Sequence, residues 1–355
     1  MKVAITGIIG VSKGYGGFET LAENLIGDNS PITTVYCSSK YFTKSEKVKF
    51  YKNTRLIYFP INSKGYTKVL HTGLSILHAA LTGHRKILLL GVSGGVILPI
   101  IRLFFPWIHF ITNIDGLEWK RGKWSFLVGK FLKLSEYLCC KFSHVVIADN
   151  AALVKYVKTT YRFTPEEIAY GGDQALAGHE KSDLPSGTFN AFALCRIVPE
   201  NNIHMILEAF SIVNEKITFV GNWNDSEYGL QLKKNYMQFD NIELLDPIFD
   251  MNILYKLRSR CHVYIHGHSV GGTNPTLVEM MHFGKMVYAF DCNYNRETLE
   301  NNGKFFTNSK DLAFLLINHS NSYIEEGKII KNIAERRYTW KNVRMKYFEV
   351  FNKIL

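Results

Sequence analysis

The chain has 355 residues, 46% of them hydrophobic and 21% charged, with a formal net charge of +11 at pH 7. This length predicts about two domains with separate cores, and the apolar content excludes a disordered chain. The N-terminus lacks the apolar stretch and cleavage site of a signal peptide, and the six cysteines show no C-x-x-C spacing. We therefore expect a cytoplasmic protein without disulfides or a structural zinc site.

Strand-length runs rich in β-branched residues alternate with helix-length segments along the chain. In the first half a helix is predicted at 18–26, and strands at 3–5, 33–37, 55–59, 86–90, 109–113 and 144–148. A polar stretch at 177–187 has the composition of a linker. Beyond it, strands are predicted at 189–194, 217–220, 242–244, 263–266 and 286–290, and an amphipathic helix at 340–355 that packs on either half. This order indicates two α/β units with parallel sheets covered on both faces.

The most apolar region, residues 87–111, resembles a membrane span in its hydropathy. A spanning helix needs about 20 continuous apolar residues, whereas glycines and prolines divide this region into short pieces. We therefore predict two buried strands joined by a short helix.

The first predicted strand is followed by a glycine-rich loop at 7–20, which ends in Gly16 and Gly17 at a predicted helix start. The loop does not match G-x-G-x-x-G, and no acidic residue ends the second strand, so a dinucleotide dehydrogenase is disfavoured. Nor does the chain contain a G-x-x-x-x-G-K-[ST] phosphate loop. Two interpretations stay open: a flexible loop that approaches a diphosphate, and a plain tight turn.

Two further loops follow predicted strands and carry charged side chains. In the first, Asp115, Glu118 and Arg121 place two carboxylates and an arginine at a strand end. Either carboxylate is positioned to act as a base or to bind a hydroxyl, and the alternative is a helix cap with a local ion pair. In the second, Arg196 opens the loop, and its planar guanidinium matches phosphate oxygens. The alternative for Arg196 is surface packing.

His266 and His268 alternate at the end of a predicted strand, so their side chains point to the same side. That spacing suits a metal site, but no third ligand lies nearby in the sequence. We therefore favour a hydrogen-bonding or core role for both and predict no metal.

Residues 271–284 form the most informative segment, in which Gly-Gly-Thr-Asn-Pro leads into an apolar helix start that carries Glu279. Glycines let the backbone approach a ligand closely, and a helix N-terminus offers unpaired N–H groups to an anion. Thr273 and Asn274 add small polar groups at the same place. The segment is either a site for a phosphorylated or polyhydroxylated ligand or an ordinary capped loop.

The positive charge of the chain concentrates at residues 119–133 and calls for an anionic partner or another explanation. Basic and aromatic side chains alternate there, namely Lys120, Arg121, Lys123, Lys130 and Lys133 with Trp119, Trp124, Phe126 and Phe131. Such a mixture suits a lipid interface, and the alternative is a solvated helix face with its apolar side in the core. No nucleic-acid-binding motif is present, so nucleic acid ranks last among the anionic partners.

Six segments spread over nearly the whole chain carry a family pattern. They are Y-G-G-F-E-T at 15–20, N-I-D-G-L-E-W-K-R-G-K-W-S at 113–125, I-A-D-N at 147–150, Y-G-G-D at 170–173, R-I-V-P-E-N-N at 196–202 and G-G-T-N-P-T-L-V-E at 271–279. In this order they resemble the retaining glycosyltransferases of family 4, which have the GT-B fold, and most of all the bacterial polysaccharide rhamnosyltransferases. The resemblance implies two Rossmann-like parallel-sheet domains facing a central cleft. These are an acceptor domain at 1–178, on which the helix at 340–355 packs back, and a nucleotide-sugar donor domain at 179–339.

The same resemblance implies roles for individual residues. Arg196 corresponds to the arginine that binds the donor diphosphate, and Glu279 to the second glutamate of the family's E-x7-E motif, which typically holds the ribose. The predicted donor-binding residues are Gly16, Gly17, Arg196, Gly272, Thr273, Asn274 and Glu279, the predicted acceptor-binding residues are Glu19, Glu118 and Arg121, and the predicted catalytic residues are Asp115 and Arg196.

Three positions depart from the family pattern. Gly271 stands where the first glutamate of E-x7-E often contacts the donor sugar, so the small polar residues after it become the candidates for sugar recognition. The lysine that usually follows the arginine is replaced near Asn201, which leaves the diphosphate to Arg196, backbone amides or another cation. The usual histidine of the N-terminal half appears as Asp115.

Together these expectations describe a metal-independent hexosyltransferase without a cofactor. It would move L-rhamnose from dTDP-β-L-rhamnose, with retention, to a lipid-diphosphate-linked saccharide in bacterial surface-polysaccharide synthesis. It would act in the cytoplasm at the inner face of the membrane, without contact to nucleic acid. The alternatives are the same fold with a UDP-hexose donor, a GT-B sugar-nucleotide epimerase, and a membrane-associated binding protein without catalysis.

Overall fold

A computed structural model describes the chain at residues 2–11, 16–120, 124–176, 178, 189–319 and 323–353. Two compact units make up the chain. The first comprises Met1–Ala169 and Lys341–Leu355, and the second comprises Tyr170–Trp340. Apart from residue 178, the linker predicted at 177–187 lies outside the described residues.

The described part of the first unit contains a sheet of eight strands. The strands are β1 (Val3–Thr6), β2 (Ile32–Ser38), β3 (Phe50–Tyr51), β4 (Thr54–Phe59), β5 (Lys86–Leu90), β6 (His109–Asn113), β7 (Val145–Ala148) and β8 (Glu166–Glu167). Their order is β3-β4-β2-β1-β5-β6-β7-β8, and all neighbours are parallel except β3 and β4. After its first residue, Lys86, the central strand β5 is a continuous apolar run, because helices cover both faces of a parallel sheet.

Helices connect these parallel strands. They are α1 (Gly17–Leu25), α2 (Thr67–Leu81), α3 (Leu98–Phe104), α4 (Phe126–Phe142) and α5 (Ala151–Tyr161). The chain steps from β1 to β2 and β4 in one direction, and from β4 back to β5 and on to β8 in the other. Because crossovers between parallel strands are right-handed, α2, α3 and α4 lie on one face of the sheet and α1 lies on the other.

The second unit, over its described residues, contains a parallel sheet of six strands. They are β9 (Asn190–Leu194), β10 (Lys216–Val220), β11 (Ile242–Leu245), β12 (Val263–His266), β13 (Met286–Phe290) and β14 (Lys304–Phe306), in the order β11-β10-β9-β12-β13-β14. The helices are α6 (Ile203–Ser211), α7 (Glu227–Tyr236), α8 (Met251–Arg260), α9 (Pro275–His282), α10 (Asn293–Thr298), α11 (Ser309–Ile317) and α12 (Tyr323–Arg337).

The last helix, α13 (Trp340–Lys353), begins at the final residue of the second unit and continues in the first. In the first unit Lys86 Nζ donates a hydrogen bond of 2.7 Å to the carbonyl oxygen of Phe351. Asn113 Nδ2 donates to the hydroxyl of Tyr347 at 2.8 Å. These bonds attach α13 to β5 and β6.

The strand orders locate the places where a ligand is expected. In open α/β sheets ligands bind beyond the carboxyl ends of the strands, where the strand order reverses. The order reverses between β1 and β5 in the first unit, and between β9 and β12 in the second. The loops after these four strands are therefore the candidate ligand loops.

The α/β architecture predicted from the sequence is confirmed, with two sheets built mainly from parallel strands. The apolar region at 87–111 forms β5, α3 and β6, as expected. Within the described ranges, no helix has the length and apolar character needed to cross a membrane. The edge strands β3, β8 and β14 were not predicted, because two or three residues carry no periodic signal.

Candidate functional site

The loops after β9 and β12 are bonded to each other in the second unit. Asn202 Nδ2 donates to the carbonyl oxygen of Gly267 at 2.9 Å. The backbone nitrogen and the hydroxyl of Ser269 donate to the carbonyl oxygen of Glu200, at 3.1 and 2.8 Å. Gly267 has no room for a side chain, because a Cβ there would overlap the carbonyl oxygen of Asn201. The Arg196 loop is thus held beside the loop that leads to α9.

Arg196 is the exposed cation of this pair of loops. Its carbonyl oxygen accepts hydrogen bonds from Asn201 Nδ2 at 2.8 Å and from the backbone nitrogen of Val198 at 3.0 Å, so its backbone is fixed. Asn201, near which the resemblance predicts a lysine that this sequence lacks, is buried and uses its amide for this bond. Arg196 therefore presents its guanidinium to solvent from a rigid loop, without a second cation from position 201.

Asn274 caps the N-terminus of α9. Its Oδ1 accepts from the backbone nitrogen of Thr276 at 3.0 Å and from the Thr276 hydroxyl at 2.8 Å. Asn274 therefore acts as a helix cap, as the capped-loop alternative predicts. Since its Oδ1 is used in the cap, a contact with a ligand would be made by its Nδ2. Thr273 is buried, and Gly272 is half-buried beside it.

Pro275 at the first helical position of α9 has no N–H group, and the backbone nitrogens of Leu277 and Val278 donate to the Asn274 carbonyl oxygen at 3.1 and 3.2 Å. The positive end of the α9 dipole therefore remains at this place, but the N–H groups of its first turn are already used.

Gly271 adopts a φ of +142°, which side-chain-bearing residues rarely adopt. No atom lies within 4 Å of the position that a Cβ would occupy. Any side chain at this position, including a glutamate, is therefore disfavoured by the backbone conformation rather than by lack of space.

Gly271→Ala is expected to lower the free energy of unfolding by about 1–3 kcal/mol, because alanine is strained at this φ. Urea unfolding measures the change. Gly129→Ala is the matched control, since Gly129 lies in α4 and a Cβ there would meet only the Trp119 carbonyl oxygen, at 3.4 Å. The control is expected to be neutral or stabilising. An unchanged stability of Gly271→Ala would contradict the backbone explanation.

Glu279 forms an ion pair with Arg258, a residue that the sequence interpretation missed. Arg258 lies on α8 and is 3% exposed, and its Nη2 donates to Glu279 Oε2. Gln174 Nε2 donates to the other carboxylate oxygen at 2.8 Å. Burial raises the pKa of Glu279, and Arg258 and Gln174 act against that rise. The carboxylate is therefore held in one orientation by two neighbours.

Arg258 keeps unused donors, since its Nε and Nη1 have no hydrogen-bond partner within the described part of the chain. A buried guanidinium with one partner is costly unless that partner stays in place. A sequence signal for Arg258 existed: it shares the buried face of α8 with Leu254 and Tyr255, at helical spacing. An arginine on the buried face of a helix predicts a buried acidic partner.

The Y-G-G-D segment at 170–173 positions Gln174, which bonds to the Glu279 carboxylate oxygen that Arg258 does not contact. A Cβ on Gly171 would lie 2.5 Å from Trp340 Cδ2, and one on Gly172 would lie 2.6 Å from the Val278 backbone. The Trp340 backbone nitrogen donates to Asp173 Oδ1 at 2.7 Å, and its indole nitrogen donates to Gln174 Oε1 at 2.6 Å. The two glycines thus let the chain pass close enough for Gln174 to reach Glu279.

In the first unit, Glu19 bonds to the glycine-rich loop. Its Oε1 accepts from the backbone nitrogen of Ile9 at 2.9 Å, and its side chain is buried. A Cβ on Gly16 would lie 2.5 Å from the other carboxylate oxygen, so a side chain at position 16 would require Glu19 to shift. Gly17 begins α1. That Glu19 binds the acceptor stays a prediction, because the contact observed is with its own loop.

Asp115 follows β6 with a φ of +61°, an uncommon conformation that asparagine and aspartate tolerate best. Its backbone nitrogen donates to Asn113 Oδ1 at 3.0 Å. Glu118 Oε1 accepts from the indole nitrogen of Trp124 at 3.2 Å. Both carboxylates are half-buried at the carboxyl edge of the sheet, and Arg121 lies outside the described residues.

His266 and His268 stack, with ring centroids 4.4 Å apart and planes 10° from parallel. Burial lowers the pKa of His266 to about 3, so its ring is neutral at physiological pH. Among the described residues, no group of three His, Cys, Asp or Glu side chains is arranged to hold a metal ion. His266 is the last residue of β12, and His268 lies in the loop before α9.

Two family models match the chain. Residues 1–173 match DUF1972, a domain of unknown function, and residues 177–340 match glycosyl transferases group 1. No curated protein sequence matches the chain.

Solved structures match it over its full length, at low sequence identity. Sucrose-phosphate synthase from Thermosynechococcus elongatus matches with a TM-score of 0.79 and 14% identity, over 99% of this chain and 98% of that one. HepE from Anabaena, solved in complex with UDP, matches with a TM-score of 0.76 and 14% identity over 100% of both chains. HepE in complex with UDP-glucose matches with a TM-score of 0.69 and 14% identity, again over 100% of both. The chain therefore has the GT-B fold, and its residues 177–340 are similar to the glycosyl transferases group 1.

Proposed function

We propose that the chain transfers L-rhamnose from dTDP-β-L-rhamnose, with retention, to a lipid-diphosphate-linked saccharide. The observation that carries the donor site is the second unit's pair of bonded loops. They hold an exposed arginine, Arg196, beside the glycine-containing loop that caps α9. A guanidinium and a helix N-terminus at one carboxyl edge suit a diphosphate.

The leaving group of the reaction is the nucleoside diphosphate, on which negative charge develops. Arg196 and the positive end of the α9 dipole supply positive potential at that place. Asn201 adds no charge, so we assign the main part of the stabilisation to Arg196. In this proposal the reaction requires neither a metal ion nor a cofactor.

We assign the donor ribose to Glu279. A carboxylate has about four lone-pair positions, and Arg258 and Gln174 occupy one on each oxygen. The remaining positions accept bonds from the ribose hydroxyls. The two neighbours keep the carboxylate from rotating, which pre-organises it for that contact.

We assign the acceptor to the first unit, at the carboxyl ends of β1 and β6. Asp115 is our candidate for contact with the reacting hydroxyl, because it combines a carboxylate with an uncommon backbone conformation at a strand end. Glu19, Glu118 and Arg121 are the other proposed acceptor residues. The basic and aromatic residues at 119–133 would bring the enzyme to the cytoplasmic membrane surface, where a lipid-linked acceptor lies.

The donor sugar separates two versions of the proposal. The resemblance of the 113–125 and 271–279 segments to rhamnosyltransferases, together with Gly271 in place of a sugar-binding carboxylate, favours a deoxysugar. A UDP-hexose is the second candidate, because HepE, a protein of the same fold, was solved with UDP-glucose.

Thermal unfolding in a panel of nucleotide sugars distinguishes the two donors. A ligand that binds only the folded protein raises the melting temperature, by an amount that grows with its concentration relative to Kd. We expect dTDP-β-L-rhamnose to give the largest shift. A larger shift with UDP-glucose would replace the donor in the proposal, and no shift with any nucleotide sugar would overturn the donor site.

A further inference from the structure

Helix α2 carries its leucines on the outside. Leu70, Leu74, Leu77 and Leu81 recur at helical spacing and are all exposed. The opposite face, which packs on the sheet, holds Ile76 and two alanines together with polar and small residues, namely His71, Thr72, Gly73 and Ser75. A helix at the surface of a soluble domain normally shows the reverse arrangement. A leucine stripe of this length indicates an apolar neighbour outside the unit.

Helices α3 and α4 continue this exposed apolar surface. On α3, Leu103 and Phe104 are exposed, and so is Trp107 just after the helix. On α4, Phe126 and Leu127 are exposed at the start of the helix, and Phe131 and Leu134 follow at helical spacing.

The three helices lie side by side on one face of the first unit. They meet at the short turn before α3, where a Cβ on Gly94 would lie 2.6 Å from Thr72 of α2, and one on Gly95 would overlap Ser135 of α4. Tyr66, at the start of α2, contacts Trp124, before α4, with ring centroids 6.5 Å apart. We name the exposed apolar side chains of α2, α3 and α4, together with Trp107, the apolar face.

The exposed charged side chains of α2, α3 and α4 are all basic. No carboxylate occurs between Glu46 and Asp115, a stretch that includes all of α2 and α3. The single carboxylate of α4, Glu136, is buried and accepts hydrogen bonds of 2.8 Å from the hydroxyls of Tyr156 and Tyr161. No acidic side chain on these three helices therefore reaches solvent.

Lysines border the apolar face beside aromatic rings. Lys130 Nζ lies 4.4 Å from the ring centroid of Phe126, and Lys133 Nζ lies 4.7 Å from that of Trp119. Apolar side chains flanked by aromatic rings and lysines match the layers of a bilayer surface, from acyl chains to anionic headgroups.

We propose that the apolar face docks on an anionic phospholipid bilayer, with the leucines of α2 and the apolar residues of α3 and α4 entering the headgroup region together. This extends the membrane contact from residues 119–133 to three helices, and it rests on the proposed function for its purpose, which is to reach a lipid-linked acceptor. Positive charge without an exposed carboxylate selects a lipid surface of negative charge over a neutral one.

Co-sedimentation with vesicles tests the docking. Full-length protein is mixed with phosphatidylglycerol-containing vesicles or with pure phosphatidylcholine vesicles, in the absence of any nucleotide sugar. We expect binding to the anionic vesicles to exceed binding to the neutral ones by at least about tenfold, and to weaken as ionic strength rises.

Two pairs of variants locate the contact. Leu103→Ser/Leu127→Ser, at positions that are each 75% exposed, is expected to lower the affinity for anionic vesicles by about tenfold or more. The matched control is Phe249→Ser/Phe314→Ser in the second unit, at positions 81% and 66% exposed, which should bind like wild type. Lys130→Glu/Lys133→Glu should lose the preference for anionic vesicles, and Lys234→Glu/Lys310→Glu should keep it.

Three results would overturn the docking proposal. The first is wild-type protein that sediments equally with anionic and neutral vesicles or with neither. The second is unchanged binding by Leu103→Ser/Leu127→Ser. The third is a dimer in analytical ultracentrifugation that this variant abolishes, without vesicle binding, which would assign the apolar face to a second copy of the chain. Because vesicle binding needs no donor, it succeeds or fails independently of the proposed sugar transfer.

Discussion

Arg196→Ala is expected to lower kcat/KM for sugar transfer by about 10²–10³-fold, the effect of removing one donor that stabilises developing charge. Arg196 is exposed on a fixed loop, and position 201 supplies no second cation that compensates for its loss. Initial rates at varied donor concentration measure the effect. Because the charge develops on the leaving diphosphate in the transition state, kcat should fall and not only the affinity for the donor.

Two further variants make the Arg196 result specific. Arg260→Ala removes another exposed arginine of the second unit, at the end of α8, and should leave the rate unchanged. Arg196→Lys keeps the charge but not the planar fork, so a partial recovery is expected. Undiminished transfer by folded Arg196→Ala protein would remove Arg196 from the donor site.

Arg258→Met is expected to lower the free energy of unfolding by about 3–5 kcal/mol, the usual effect of removing one partner of a buried ion pair. The guanidinium is 3% exposed and Glu279 is 15% exposed, so solvent does not replace the lost partner. Adding Glu279→Gln removes the second charge and keeps an oxygen for Gln174, so the double variant should recover much of the stability.

The Arg258 prediction is measured by urea unfolding at constant pH. Arg260→Met, two residues along α8 and exposed, is the control and should change the stability little. Equal losses in Arg258→Met and in the double variant would show that the arginine contributes by packing alone. That outcome would contradict the assignment of Arg258 as the residue that orients Glu279.

The strands of both sheets could be predicted because parallel strands buried on two faces are continuous apolar runs. The apolar run at 87–90 is an example, and the strand predicted there, at 86–90, has the bounds of β5. Edge strands of two or three residues carry no such signal and were missed. The leucine stripe of α2 was also missed, because periodicity gives a helix an apolar side but does not say whether that side is buried.

The candidate site was predictable where its chemistry is local in the chain. Arg196 after β9, the glycines before α9 and the helix start itself are adjacent in sequence to the strand ends that position them. Contacts between distant residues were not predictable. The bond that the Ile9 backbone nitrogen donates to Glu19, and the contacts of Glu279 with Arg258 and Gln174, depend on how loops and helices pack.

The most direct test of the account is a transfer reaction with purified protein. The reaction contains dTDP-β-L-rhamnose and a lipid-diphosphate-linked saccharide in phosphatidylglycerol-containing vesicles, and the glycolipid product is identified by mass spectrometry and by NMR of the new linkage. We predict a glycolipid extended by one rhamnose, with the anomeric configuration of the donor retained. Release of free sugar alone, epimerisation of the donor without transfer, or an unchanged acceptor with every nucleotide sugar would contradict the account.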